Sequence, residues 1–308
     1  MNKPELFFFL ALFFISCETV VDVDIPEKDP MIVVNAVLSE NDTIEVNLSK
    51  SIFIKEHPGD IAFINEATLA FFENGNFITN LTNIDENGNY SVQGFYPEAG
   101  KSYRIEITSG EMTPVNATTT IPLPVPIINL DTLYQKKFDY GYEYLTLQFK
   151  LKFDDPPGEK NYYYLSTLAT FVYEDEYEGY TESYQQPLYI DTDDPVLSSN
   201  MINYSGEFAF TDDHFDGNSY SVIFNTDAYM FYDTTEVAIS LHSISKDLYY
   251  YFLSSFEQDR IGDDPFTELI HVNSNIENGL GIFGASSRSC TTIHVLPVAG
   301  QWDDFDID

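Results

Sequence analysis

The clearest pattern in the chain is strict alternation over residues 144–153. Leu145, Leu147, Phe149, Leu151 and Phe153 fall on one face, and Thr146, Gln148, Lys150 and Lys152 on the other. Successive side chains of a strand point to opposite sides, so this period of two predicts a half-buried β-strand. Residues 162–171 are its expected partner. Shorter β runs come earlier, at 31–38 and 43–48, where β-branched side chains are frequent. Residues 67–72 and 77–81 flank Asn74-Gly75, which supplies the positive φ of a type I′ hairpin turn. Asn87-Gly88 is read as a second such turn, leading into Tyr90-Ser91-Val92. Residues 102–108 alternate cleanly, and no helical period of ten residues appears before residue 120. Farther along, 207–210 and 220–224 flank a loop from Thr211 to Asn218, and 237–242 is another strand. One helix is expected, near 245–259. Ser245 can cap it, Asp247 suits its positive N-terminal end, and Leu248, Tyr251, Phe252, Ser255 and Phe256 share one face.

These elements predict an all-β fold in two parts. A small N-terminal β-sandwich covers 31–121 and a larger β-rich domain with one amphipathic helix covers 127–308. Between them, Pro122, Pro124 and Pro126 deny ladder hydrogen bonds and mark 122–126 as a stiff linker. The stretch Gly88-Asn89-Tyr90, Gly94-Phe95 and Gly100-Lys101-Ser102-Tyr103-Arg104-Ile105 resembles the immunoglobulin-like or carboxypeptidase-regulatory-like modules of exported bacterial proteins. In the larger part, 174–194 is an acidic, tyrosine-rich insertion.

The first residues follow neither β nor amphipathic periodicity. After Lys3, the run from Leu6 to Ile15 holds ten side chains without a polar atom. As a helix it spans roughly 15 Å, about half a bilayer core, so it suits the apolar segment of a signal peptide rather than a membrane span. Phe14-Ile15-Ser16-Cys17 follows, and it resembles a bacterial lipobox. That resemblance implies a signal peptide over 1–16, cleavage after Ser16, diacylglycerol on the Cys17 sulfur and acylation of the new amino group. Two or three acyl chains suffice for a stable anchor, where a single chain holds only marginally. Residues 17–30 are acidic, carry two prolines and read as a tether. With Cys17 lipidated, Cys290 has no disulfide partner, and the fold relies on its core. Cys290 is expected to be an inert core thiol.

Composition changes the functional picture. The chain of 308 residues has 14 Lys+Arg against 50 Asp+Glu, a formal charge of −36. Nucleic acid is excluded as a partner class, because phosphate binding needs a basic face. Disorder is excluded too: 44% of residues are hydrophobic, with 22 Tyr and 25 Phe, enough apolar material for a core.

A search for chemistry leaves few candidates. His57, His214, His242, His271 and His294 show no i, i+3 or i, i+4 pairing and no His-Glu-x-x-His. No Gly-x-Ser-x-Gly elbow and no phosphate-cradling Gly-Lys-Ser/Thr loop is present. No catalytic residue is assigned and no cofactor is expected. Asp191, Asp193 and Asp194 are the best calcium candidate, since hard cations take several oxygens, although the full loop pattern is missing. Tyr173, Tyr177, Tyr180, Tyr184 and Tyr189, interleaved with acids, have two readings of equal weight: a binding surface for sugar, peptide or protein, or cover for a β-face.

The most specific pattern lies near the C-terminus. It comprises 243–251, then Asp264-Pro265-Phe266, then Ser274-Asn275-Ile276-Glu277-Asn278-Gly279-Leu280-Gly281-Ile282-Phe283-Gly284-Ala285. With Phe215-Asp216-Gly217 and the start at Cys17-Glu18, it resembles the Bacteroidota outer-membrane lipoproteins catalogued as domain of unknown function 4249. Asn275, Glu277, Asn278, Gly279, Gly281, Phe283 and Gly284 form the signature loop. Its glycines admit a ligand-loop reading, but tight turns or close strand packing is the favoured one. The resemblance implies a non-catalytic protein, held in the outer membrane through lipid on Cys17 and often encoded beside TonB-dependent receptors. The expected function is therefore an accessory partner of such a receptor in nutrient uptake. The alternatives are a glycan- or protein-binding adhesin acting alone, and a hydrolase with an unrecognised site.

Overall fold

The computed structural model describes residues 29–52, 61–139, 141–175, 180–197, 207–231, 235–261 and 270–296. The expected signal peptide, Cys17 and the tether up to residue 28 lie outside the described residues. No helix among those described is long and apolar enough to cross a membrane.

The first eight strands are β1 (Ile32–Ser39), β2 (Ile44–Lys50), β3 (Thr68–Glu73), β4 (Asn76–Leu81), β5 (Asn83–Ile84), β6 (Asn89–Val92), β7 (Ser102–Thr108) and β8 (Val115–Thr120). Then follow β9 (Ile127–Asp139), β10 (Tyr142–Asp154), β11 (Tyr162–Asp175), β12 (Tyr180–Gln186), β13 (Phe208–Thr211), β14 (Ser219–Asp227) and β15 (Thr235–Ile244). Helix α1 (Lys246–Ile261) and the long strand β16 (Leu280–Val295) complete the order. The all-β class holds, with a single α-helix among the described residues.

One long sheet organises the molecule, in the order β12-β11-β15-β16-β1-β2-β6-β5, with β13 beside β11. Two smaller sheets, β4-β3-β7-β8 and β14-β10-β9, cover its two halves. The first core joins Val34, Val46, Phe71 and Ile105 with Ile276 and Phe283 from the C-terminal end. The second joins Phe149, Phe153, Tyr163, Phe210, Phe224 and Leu241. Ile121 belongs to the first core and Val125 to the second, while Leu123 between them faces solvent. The proline run thus carries the chain from one core to the other.

Strand β16 links the halves. Residues 280–286 run parallel to β1, and from Ser286 onward the strand pairs antiparallel with β15. Ser286 sits opposite both Ser39 and Ile244. A parallel pair needs a long connection, and here nearly the whole chain supplies it.

Several local expectations are corrected. Residues 162–171 do not pair with β10. They lie in β11, which pairs with β12, β13 and β15, while β10 pairs with β9 and β14. The two strands meet face to face across the second core, where the Phe153 and Tyr163 rings lie 5.2 Å apart. Asn74-Gly75 is the expected turn, with φ of 48° and 80°. At 87–88 only Gly88 has positive φ, and the turn is held by Asp85, whose Oδ1 accepts from the backbone of Asn87 and Asn89. Helix α1 is described over Lys246–Ile261, its expected end at Gly262 lies outside the described residues, and its most buried side chains are Leu248, Tyr249, Ser254 and Phe256. It packs through Leu248 and Tyr249 on Ile244, Ile282 and Ala209. Cys290 is exposed, not a core thiol. Arg288, Cys290, Thr292 and His294 occupy the outward positions of β16.

Candidate functional site

The signature loop is bound into the fold. The Asn275 amide donates to the Phe283 carbonyl and its Oδ1 accepts from the Phe283 N–H, both at 2.9 Å. The side chain thus acts as a substitute strand neighbour. Asn275 also reaches the Thr118 carbonyl at 3.4 Å. One residue beyond Ile276, the Glu277 backbone donates to the Asn116 carbonyl at 2.9 Å, and its carboxylate accepts from the Asn116 amide at 2.9 Å. Both residues therefore fasten β8 of the first sandwich to the entry of β16. Asn278 takes a positive φ of 60° and turns the chain into the strand.

The glycines answer to space. A Cβ on Gly281 would stand 2.1 Å from the Val34 carbonyl oxygen, and φ is +94°. A Cβ on Gly279 would meet the Ile32 carbonyl at 2.8 Å, and one on Gly284 the Leu248 side chain at 2.9 Å. Close passage of β1 and of α1 accounts for all three positions, as the close-packing reading supposes.

The tyrosines divide. Tyr184 stacks on Phe171 at 5.0 Å between centroids and is 44% exposed, and Tyr189 is 64% exposed. Tyr177 lies outside the described residues, as do the side chains of Tyr173 and Tyr180. The backbone of Tyr180 pairs with Asp175 at the start of β12.

The structure does not gather the three aspartates of 191–194. Asp191 and Asp193 are exposed and lie 4.0 and 3.9 Å from the Lys137 ammonium. Asp194 turns inward, where it accepts from the Tyr220 hydroxyl and the Val196 N–H. A different trio comes together instead. The carboxylates of Asp155, Asp212 and Asp216 bring oxygens within 4.8 Å of one another. Sequence reasoning noted the Thr211–Asn218 loop but not its convergence with Asp155. Each member is already engaged: Asp155 accepts from the Tyr163 hydroxyl and the Gly217 N–H, Asp212 from the Asn161 N–H, and Asp216 from the Gly158 N–H. Burial pushes the Asp155 carboxyl above its ordinary range, the bonds from Tyr163 and Gly217 oppose this, and the Asp212 and Asp216 charges add to it. The trio ties two loops together. It also has the oxygen chemistry a hard cation would need.

A cleft of ≈ 390 Å³ lies where the two halves meet. Residues 118–120 and Pro122 form one wall, and residues 159–162 and 243–247 the others. Its frame depends on the signature segment. Asn275 holds the Thr118 carbonyl, and the Ala285 N–H donates to the Ser245 hydroxyl at 3.1 Å. Ser245 therefore caps α1 through its carbonyl alone, which accepts from the Tyr249 N–H. Its side chain is spent on β16 and not on the first turn, a departure from the expected cap. Sequence reasoning singled out 243–251 as family pattern and as the start of a helix capped by Ser245, not as a cleft wall. Nothing in it signalled that Thr119 and Tyr162 would face the same space.

Close to the cleft, half-buried His242 sits between two hydroxyls. Its ring nitrogens lie 3.2 Å from Ser166 Oγ and 3.2 Å from Ser286 Oγ. Burial, reinforced by the Arg288 charge, pushes its pKa down to about 4. It is a neutral structural histidine at pH 7.

The family model described as a domain of unknown function (DUF4249) matches residues 18–292. No curated protein matches the chain. The match covers most of the sequence, so the chain belongs to the DUF4249 family.

Proposed function

We propose that this DUF4249 protein is a lipid-anchored, non-catalytic binding protein of the outer membrane, acting as the accessory partner of a TonB-dependent receptor in nutrient uptake. One observation carries the reading. Phe14-Ile15-Ser16-Cys17 closes an apolar run too short to span a bilayer, and the family match begins at the next residue, 18. A family match that begins one residue after the cysteine, where cleavage and acylation would start the mature chain, is the arrangement expected of a lipoprotein. The cleft at the junction of the two cores suits a small ligand, since such sites favour the seams between packed units.

A second reading is favoured by Tyr184 and Tyr189, which expose aromatic surface beside acidic residues. Tyrosine at such positions serves sugar or protein contacts, so the alternative is an adhesin that acts without a receptor.

Mass spectrometry of the mature N-terminus from fractionated membranes tests the anchor. Acylated Cys17 in the outer-membrane fraction is expected, and an unmodified N-terminus or a soluble native protein overturns it. Affinity capture in mild detergent tests the partner. Recovery of a receptor barrel is expected, and its repeated absence leaves the adhesin reading.

A further inference from the structure

Three buried side-chain polar atoms among the described residues have no hydrogen-bond partner, and all three are hydroxyls: Thr119, Ser243 and Ser287. Their residues are 4%, 5% and 1% exposed. Thr119 and Ser243 line the cleft at the junction of the two halves. Ser287 stands directly across the β15–β16 ladder from Ser243, on the same face. A buried hydroxyl left unpartnered loses its bonds to water without replacement, so such atoms are rare and call for an explanation. Two of the three here border one cavity.

The same cavity receives the N-terminus of α1, a helix of sixteen residues. The first N–H groups of a helix have no partner within it and carry partial positive charge. Ser245, the residue placed to cap them, gives its hydroxyl to the Ala285 N–H instead. Among the described residues, no group accepts from the backbone N–H of Lys246, Asp247 or Leu248. Two of the chain's 14 basic residues, Lys160 and Lys246, also line the cleft. Lys160 is paired with Asp213 at 2.9 Å, whereas Lys246 has no ion pair among the described residues. Glu159 and Asp247 line it as well. The four side-chain charges sum to zero, so what distinguishes the cleft is its neutral donors: helix N–H groups and two unpartnered hydroxyls.

We propose that this cleft is an oxyanion-binding site, which takes the phosphate or carboxylate group of a small ligand. The helix end and the two hydroxyl-bearing residues line one space, and a group with several acceptor oxygens would satisfy their donors together. A cation would face the helix end unfavourably. An apolar ligand would leave the hydroxyls as they are. The proposal names a ligand class for the binding protein described above, and rests on that reading only in taking the protein to be a binder. It requires neither the lipid nor a receptor.

The test uses the full-length protein in detergent. Inorganic phosphate and succinate are titrated separately by isothermal calorimetry, with chloride matched for ionic strength. One saturable site for at least one of them is expected, and which of the two binds identifies the group. The Thr119→Val/Ser243→Ala double variant should bind about tenfold more weakly or worse, since bonds to a charged acceptor are lost. Its thermal unfolding without ligand should occur at the same temperature as wild type or higher, because only unpartnered hydroxyls are removed. A purely structural role for these hydroxyls predicts the reverse pair of results. Lys246→Gln, an exposed change in the first helical turn, gives a second reading should the double variant fail to fold, and should also weaken binding. No saturable heat with either anion at millimolar concentration, or binding unchanged in these variants, overturns the proposal. Failure here with Cys17 found acylated removes the ligand class alone. Binding by a protein found without lipid removes the anchor alone.

Discussion

Ser286 and Ser287 are neighbours on β16, both buried, and they meet opposite fates. Ser286 Oγ lies 3.2 Å from the His242 ring, while Ser287 Oγ has no partner. The same division holds at larger scale between the signature segment and the cleft it frames. In the segment, Asn275 and Glu277 satisfy backbone and side-chain groups on two strands. In the cleft, Thr119 and Ser243 satisfy none. A fold able to place a side-chain amide against both polar groups of Phe283 is not short of means to satisfy a hydroxyl. The difference separates residues that hold the two halves together from residues left available at the seam.

The largest expected effect breaks the holding side of this comparison. Gly281→Val puts a β-branched side chain at φ +94°, with its Cβ driven onto the Val34 carbonyl. The β1–β16 pairing must open, and the first core loses Phe283 and Ala285 with it. A loss of more than about 4 kcal/mol is expected, enough to leave an ordinary domain largely unfolded. Circular dichroism with thermal melting checks this, and a melting temperature near wild type would contradict the account of the signature glycines.

Acid should expose the next term. His242 is neutral in the folded protein, with its pKa down at about 4, whereas the unfolded chain binds a proton near 6.5. Between those values the unfolded state holds more protons, so stability rises with pH there and is lost as pH falls from 6.5 to 4. The full loss from this one group is about 3 kcal/mol. Urea denaturation of wild type and His242→Gln at pH 7 and pH 4 isolates it. The variant should lose less than wild type by about that amount, and parallel losses would show the ring to be charged or exposed.

Asn275→Ala should cost about 2 kcal/mol, because the N–H and carbonyl of buried Phe283 lose their partners together. Asn275→Asp keeps the acceptor for the N–H and sets a carboxylate against the carbonyl, so it should not restore the loss. Chemical denaturation of the pair checks both statements.

These positions differ in how far the sequence reveals them. Strand β10 is plain, because its apolar and polar positions alternate without exception from Leu145 to Phe153. Its partner is not, because β11 carries apolar residues on both phases, Leu165 and Phe171 on one and Leu168 and Val172 on the other, and periodicity cannot distinguish a hairpin neighbour from a strand on the facing sheet. Cys290 is misplaced for a related reason. Serines and threonines fill both phases of 286–292, so the contrast is thin, and it rests on Arg288 and His294, which share the outward phase of Cys290. The signature glycines suggest close packing by their spacing, but the carbonyls that Gly279 and Gly281 avoid belong to Ile32 and Val34, at the other end of the chain. The cleft is the least legible feature. It is assembled from three segments, and its defining property is what its hydroxyls lack. Ser245 shows the difficulty in one residue. It has the composition and position of a helix cap, and a strand that arrives forty residues later takes its hydroxyl.

The smallest effect sharpens the comparison most, since it sets the two adjacent serines against each other. Ser286→Ala removes the partner of one His242 ring nitrogen and should cost about 1 kcal/mol. Ser287→Ala removes a hydroxyl that is 1% exposed and bonded to nothing, so stability should stay within about 0.5 kcal/mol of wild type or rise. The two substitutions delete the same atom one residue apart on the same strand, which cancels differences in propensity and in strand edge. What is left is whether the atom had a partner. Urea denaturation at pH 7 gives both values, and equal losses would mean that Ser287 is satisfied after all and that the seam carries no spare hydroxyl on its β16 side.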